Sequence, residues 1–192
     1  MSFGLTLSHV GIFVTDMPRM VDFYTGFLGF AESDRGETST GGEIVFLTRD
    51  AREHHQVVLA TGRPADLPYN IVNQLSFRVD SLDTLRELQR GLASEHANPL
   101  GPVTHGSALS VYLHDPEKNR VELLIDTPWY VPQPCRIPVD LSLADDALWA
   151  SIEKQARALP GFKTREAWVA DIEKRIAQAT HKRRRAATSV EA

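Results

Sequence analysis

The order of apolar and polar positions divides the chain into two similar halves and a different final third. The segment Thr6–Val14, TLSHVGIFV, alternates as a strand, with Leu7, His9, Gly11 and Phe13 on one face and Ser8, Val10, Ile12 and Val14 on the other. Asp16 and the following PRMVDFYTGFLGF predict a helix that Asp16 caps, Pro18 enters in the first turn and Gly29 stops. Its apolar stripe of Met20, Phe23, Phe27 and Leu28 suits packing against a sheet. Three strands are predicted next, at Ala31–Glu37, Glu43–Thr48 and His55–Ala60. Residues 61–73 read as a crossover, because Pro64 and Pro68 interrupt any ladder.

The order then begins again. QLSFRV is a strand, Ser81 caps a helix marked by Leu82, Leu85, Leu88 and Leu92, and strands ALSVYLH and RVELLID are joined by the loop DPEKN. An offset of 65 residues (74 − 9) lays Gln74 over His9 and keeps the elements approximately in phase. The fold class expected is α+β, built from paired βαβββ modules over residues 1–62 and 73–128. The remainder, 129–192, starts with a Pro-rich wrap over Trp129–Pro138 and continues as helices near Ala144–Leu159 and Lys163–Ala179, separated by Pro160 and Gly161. These helices are expected to seal a sheet edge or meet a second subunit.

Composition narrows the function classes. With 192 residues, 42% hydrophobic and 24% charged, the chain can bury a sizeable core. A net charge of -4 argues against a general nucleic-acid or anionic-membrane binder. Cys135 is the single cysteine, which excludes an intrachain disulfide, and no stretch is apolar for the length of a membrane span. A cytoplasmic location is expected. The run Lys182–Arg185 reads first as a solvated helix end, with contact to an acidic partner or nucleic acid as the alternative.

The chemistry is concentrated in a few polar residues on apolar strands. If DPEKN is a five-residue hairpin loop, His114 pairs with Arg120 and Tyr112 lies opposite Glu122. Within VELLI, a carboxylate needs compensation, which an arginine or a metal supplies. His9 alone reads as a core histidine. Together with Glu122, and with Gln74 at the matching place in the second half, it reads as a ligand for a borderline divalent ion. Spacing fixes no role for His55 or His105, although histidine transfers protons near neutral pH and tyrosine donates to developing oxyanions. His54 is expected to face solvent if His55 faces inward; His96, His114 and His181 are expected at the surface, and Asp115–Glu117 is turn chemistry.

The segments HVGIFVTDMPRMVDFYTGFLGF and THGSALSVYLHDPEKNRVELLID resemble the opening and closing parts of the vicinal oxygen chelate superfamily, specifically its type I extradiol dioxygenase and glyoxalase-like members. TPWYVPQP is similar to a tail found in one such subgroup. The resemblance covers roughly residues 5–127 and implies a cup of paired modules holding a divalent metal, Fe(II) favoured over Mn(II) or Zn(II). It implies His9, Gln74 and Glu122 as metal ligands, with Gln74 standing where the extradiol pattern has a second histidine. His55 matches a proton-handling histidine, Tyr112 a substrate-binding tyrosine, and His105 a histidine that precedes the tyrosine strand. The function implied is extradiol-type cleavage of a catecholic or related aromatic substrate by dioxygen. A homodimer is expected from the Pro-rich wrap and C-terminal helices, while the superfamily resembled pairs its modules either within one subunit or across two. A glyoxalase-like lyase, isomerase or epimerase, or a non-catalytic small-molecule binder, are the alternatives.

Overall fold

The computed structural model describes residues 5–64, 66–67, 69–93, 96–98 and 100–188, the last nine by backbone alone. Pro68 of the crossover and the side chains of His181 and the Lys182–Arg185 run therefore lie outside the described residues. The predicted βαβββ order of elements appears twice. In the first, β1 (Val10–Val14) is followed by a helical segment and by β2 (Ala31–Glu37), β3 (Glu43–Thr48) and β4 (Val57–Thr61). Its sheet has the order β1-β4-β3-β2, with β1 parallel to β4 and the other pairs antiparallel. In the second, β5 (Leu75–Arg78), α2 (Leu82–Gly91), β6 (Val103–Thr104), β7 (Ala108–His114) and β8 (Arg120–Asp126) give the order β6-β7-β8-β5, the same arrangement repeated. The two-residue β10 (Ile137–Pro138) extends this sheet beyond β6. The architecture is α+β, with no closed barrel among the described residues.

The strand boundaries differ from the sequence pattern where it matters most. Pairing of β1 begins at Val10, opposite Val57, so His9 and His55 stand just before their strands and Gln74 just before β5. The face of β1 turned to the core is Ile12 and Val14. The face carrying His9 is open, with Leu7 91% and Phe13 62% exposed.

The first helix also departs from a uniform spiral. Asp16 accepts from the Arg19 N–H at 3.1 Å and caps α1 (Met17–Asp22), after which Phe23–Phe27 widens into a π-helical turn. Leu28 N–H reaches the Phe23 carbonyl at 3.2 Å, and Gly29 ends the segment at a positive φ of 70°. This widening buries Tyr24 as well as the expected Met20, Phe23 and Leu28. Helix α2 ends at Gly91, one residue short of the predicted Leu92.

The chain packs as two compact units, Met1–Phe77 with Glu87–Pro99 and Tyr112–Glu122, and Arg78–Arg86 with Leu100–Val111 and Leu123–Ala192. Val14, Met20, Tyr24, Val45, Leu47 and Leu59 are fully buried in the first. Each such side chain contributes roughly 1.5–3 kcal/mol of apolar transfer. The β7–β8 turn is fastened into this unit by Glu117. Its Oε1 accepts from the Thr15 and Asp16 N–H groups at 2.6 and 2.7 Å, while Oε2 meets Arg63 at 3.2 Å. Arg63 also donates to Asn119 and Asn70, and Asn70 to the Lys118 carbonyl. The turn is closed from within by buried Asp115, which accepts from the N–H groups of Glu117 and Asn119 and from the Asn119 side chain. Burial raises the Asp115 pKa from its ordinary value.

In the second unit, α3 (Asp145–Arg157) buries Leu148, Ile152 and Ala156 at helical spacing. Arg86 fixes its approach by donating to the carbonyls of Leu141 and Leu143 and to Asp145. The Pro-rich wrap contains β9 (Trp129–Tyr130), which pairs with β11 (Lys163–Thr164) ahead of α4 (Arg165–Thr188). Tyr130 stacks on Trp168 of α4. Gly106, at φ 74°, lies so near Val131 that a Cβ there would sit 2.3 Å from Val131 Cγ2.

Two stability outcomes follow. Replacing Glu117 by alanine removes the acceptor of two backbone N–H groups and the partner of Arg63, a loss of about 2–4 kcal/mol by urea denaturation. Glu117→Gln, which keeps one acceptor oxygen, should cost less than half as much; equal losses for the two variants would rule out this account. Gly106→Ala combines a forbidden φ with a backbone-proximal clash and should cost at least about 2 kcal/mol on the same assay.

Candidate functional site

Glu122 lies at the centre of β8 between Val121 and Leu123, both buried, and is itself only 6% exposed. The five-residue loop expected between β7 and β8 is present, closed by Asp115 N–H to the Asn119 carbonyl at 3.0 Å. The Tyr112 hydroxyl donates to Glu122 Oε1 at 2.8 Å. On the other side, Gln74 Nε2 donates to Glu122 Oε2 at 2.9 Å and Ser76 Oγ to the same oxygen at 2.6 Å. Gln74 Nε2 also reaches Ser76 Oγ at 3.0 Å. Three side chains, of Gln74, Ser76 and Tyr112, thus converge on one buried carboxylate, each through a neutral donor.

His9 belongs to a second cluster. Its ring lies 4.2 Å from that of His55, centroid to centroid, and its Nδ1 is 3.3 Å from Ser8 Oγ. His55 rests against Phe46 at 5.0 Å, and its Nδ1 is 2.8 Å from His54 Nδ1. One of these two nitrogens must carry the shared proton, so at least one ring is in the Nδ1–H form. Desolvation, then the neighbouring His9 and His54, lowers the His55 pKa. His54 is exposed, as alternation along the segment predicts, and lies 3.8 Å from Asp34. His105 Nδ1 donates to the Cys135 carbonyl at 2.6 Å, and its own carbonyl accepts from Gln133.

The structure therefore unites Gln74, Tyr112 and Glu122, and separately His9 and His55. Among the described residues, no three His, Cys, Asp or Glu side chains converge on one point as a metal cage. Ser76 was not singled out from the sequence, yet it makes the shortest of these three contacts to Glu122. The signal was available, since Ser76 follows Gln74 by the two-residue strand period and so shares its face. His96 is not a plain surface residue either. Its Nδ1 donates to the His114 carbonyl at 2.9 Å and its ring packs 4.9 Å from Phe23. Among the described residues, no helix is long and apolar enough to cross a membrane.

Comparison with known proteins agrees with this architecture. Two biphenyl-2,3-diol 1,2-dioxygenases of Rhodococcus globerulus are 31% identical over 123 residues and 30% over 125. The first match takes in 62% of this chain and 62% of the relative, the second 62% and 63%, so the chain spans less than two thirds of these relatives' length. Among solved structures, a glyoxylase/bleomycin resistance protein/dioxygenase domain from Frankia sp. EAN1pec has a TM-score of 0.50 at 23% identity, covering 66% of this chain and 94% of that one. The fosfomycin resistance protein FosX of Listeria monocytogenes has a TM-score of 0.49 at 21% identity, over 66% and 96%. The family model for the Glyoxalase/Bleomycin resistance protein/Dioxygenase superfamily matches residues 6–123, through both modules and up to the residue after Glu122, and the chain belongs to that superfamily.

Proposed function

We propose that this protein is a metal-dependent enzyme acting on a small molecule with adjacent oxygens, most concretely the ring cleavage of a catecholic aromatic by dioxygen. The observation that carries the reading is Glu122, a buried carboxylate oriented by Gln74, Ser76 and Tyr112. Those three donors are neutral and fix the orientation of the carboxylate, and a divalent cation suits the setting. Gln74 stands close enough to share that cation through its side-chain oxygen after a turn of its amide. The third ligand, His9, is assigned to a second copy of the chain in a homodimer. The support is that one copy leaves the His9 face of β1 exposed with Leu7 and Phe13, apart from the contacts that hold Glu122.

When bound, a divalent ion of the Fe(II), Mn(II) or Zn(II) kind supplies Lewis acidity to adjacent substrate oxygens. The chain's own residues do the rest. The Tyr112 hydroxyl, now on Glu122, donates to a substrate oxygen and orients it. His55, packed on His9, accepts or returns a proton at its imidazole Nε2. His105 is held in the Nδ1–H form by the Cys135 carbonyl, which turns Nε2 into the basic nitrogen. The 31% identity over 123 residues to a biphenyl-2,3-diol dioxygenase supports the catecholic substrate class. Gln74 favours a second reading, an isomerase, epimerase or glyoxalase-like lyase, because an amide is a weaker ligand than the histidine of the extradiol pattern.

Anaerobic titration with Fe(II) and Mn(II) should give one site per chain, weakened at least roughly 100-fold by His9→Ala or Glu122→Ala and preserved or tightened by Gln74→His. Absence of binding at saturating metal, or binding indifferent to both alanine changes, would sink the site. Mixing the two alanine variants tests the shared assembly. Random re-pairing should restore about a quarter of the wild-type sites, because half the dimers are mixed and each has one intact site, whereas a site within one chain restores none. Oxygen uptake with biphenyl-2,3-diol by the Fe(II) form is the activity test. Metal binding without uptake across a catechol panel, but with exchange of a substrate C–H proton, would select the second reading.

A further inference from the structure

The superfamily match stops at residue 123, but the wrap beyond it is bound closely to the second sheet. Its target is the loop of residues 105–107 that joins β6 to β7. The Thr127 N–H donates to the Ser107 carbonyl at 3.1 Å, and the Thr127 hydroxyl to the Gly106 carbonyl. Ile137 of β10 pairs with Thr104 at the entry to the loop. Val131, fully buried, leaves room beside it only for the glycine at 106. Within the loop, His105 N–H donates to the Ala108 carbonyl at 2.8 Å and Gly106 N–H to Thr104 Oγ1 at 3.0 Å. A backbone tied at so many points holds the side chain of His105 in a narrow range of positions.

The side chain of Gln133 joins wrap and loop. Its Nε2 donates to the His105 carbonyl at 2.7 Å and to the Val131 carbonyl at 3.1 Å, while its Oε1 accepts from the Cys135 N–H at 3.0 Å. Carbonyls only accept and a backbone N–H only donates, so one orientation of the amide satisfies all three. The two residues it connects are joined again by the His105 ring, whose Nδ1 donates to the Cys135 carbonyl at 2.6 Å. The same rule fixes the imidazole. A carbonyl partner requires the proton on Nδ1, and the neutral ring then presents Nε2 as its acceptor. Free histidine in water favours the opposite tautomer, so the loop and wrap hold this ring against its own preference.

We infer that Gln133 is a positioning residue for His105. It spans the backbones of His105 and Cys135, keeps the Cys135 carbonyl on Nδ1, and so makes Nε2 the nitrogen that does the proton transfer. There Nε2 takes the proton of a substrate hydroxyl, leaving an imidazolium and a substrate oxyanion, and later returns it. The inference rests on the proton-handling role proposed above for His105, and it gives the wrap beyond the superfamily match a part in the chemistry. Few side chains could replace Gln133. Asparagine is one methylene shorter, and glutamate offers no donor to the two carbonyls.

The test reads the tautomer directly, by proton–nitrogen correlation NMR on the full chain with isotope-labelled histidines at mildly alkaline pH, His105→Gln identifying the signal. In the parent, His105 should carry its proton on Nδ1. Gln133→Met keeps the length of the side chain and none of its hydrogen bonds, and there the proton should sit on Nε2 in the larger share of molecules. Gln133→Ala should give the same result. With biphenyl-2,3-diol and the Fe(II) form, kcat should fall about tenfold in Gln133→Met while KM stays within twofold. His105→Ala should lower kcat at least about 100-fold. The double variant should be no slower than His105→Ala alone, because Gln133 acts only through that ring. A parent protonated on Nε2, an Nδ1–H form that persists in both Gln133 variants, or losses that multiply in the double variant would each overturn the inference. The tautomer is read without metal or turnover, so an inactive chain defeats the function proposed above and leaves the NMR result to decide this inference alone.

Discussion

The Glu117 carboxylate governs the first unit more than any apolar contact there. It sits in the turn between β7 and β8, yet its oxygens hold the N–H groups of Thr15 and Asp16, more than a hundred residues earlier in the chain. Those two N–H groups belong to the exit of β1 and the cap of α1, where neither strand nor helix supplies an acceptor. Arg63 neutralises the carboxylate and ties in Asn70 and Asn119 from the crossover and the turn. The pair is largely shielded, at 17% and 11% side-chain exposure, so its hydrogen bonds are stronger than those of an open surface bridge. One charged group therefore sets the register between the strand that follows His9 and the hairpin that carries Tyr112 and Glu122.

That arrangement gives the polar residues of the site a division of labour. The hairpin end offers an anion already oriented by three donors, so little reorganisation is required of it when a cation or substrate arrives. The histidine end is exposed, held by ring contacts instead of hydrogen bonds to the carboxylate. A buried carboxylate and a bare imidazole face have opposite needs. The first is buried and held by Gln74, Ser76 and Tyr112, and the second leaves Leu7 and Phe13 exposed.

Much of this was legible in the sequence because it depended on local rules. Strands β2, β3, β7 and β8 fall where alternation and turn residues put them, and the Tyr112–Glu122 contact follows from a loop of five residues. The repeat was legible through its phase, although few residues match between the halves. What the pattern misjudged came from tertiary competition. Alternation on both faces of TLSHVGIFV is apolar, so it could not tell that Ile12 and Val14, and not Phe13, face the core. The π-helical turn arises where Phe23, Tyr24 and Leu28 all find burial, which a regular spiral of 3.6 residues would not grant together. Glu117 looked like turn chemistry because its partners are remote in sequence, and no spacing rule reaches from residue 117 to residue 15.

Strand β2 has a consequence for how the molecule behaves in company. It terminates the first sheet, and every one of its residues is exposed. Such a border usually invites another chain to add a strand, the first step toward fibrils. Here Glu32, Asp34, Arg35 and Glu37 line it, Arg35 is clamped by Glu32 and Glu43, and the ladder slips between Glu32 and Asp34. An incoming strand would meet mismatched register and charges that must first be stripped of water or of each other. The opposite border, Val10–Val14, has no charged residue at all. Polymerisation through β2 is thus discouraged by the same sequence that leaves the histidine-bearing side of the sheet open for orderly contacts.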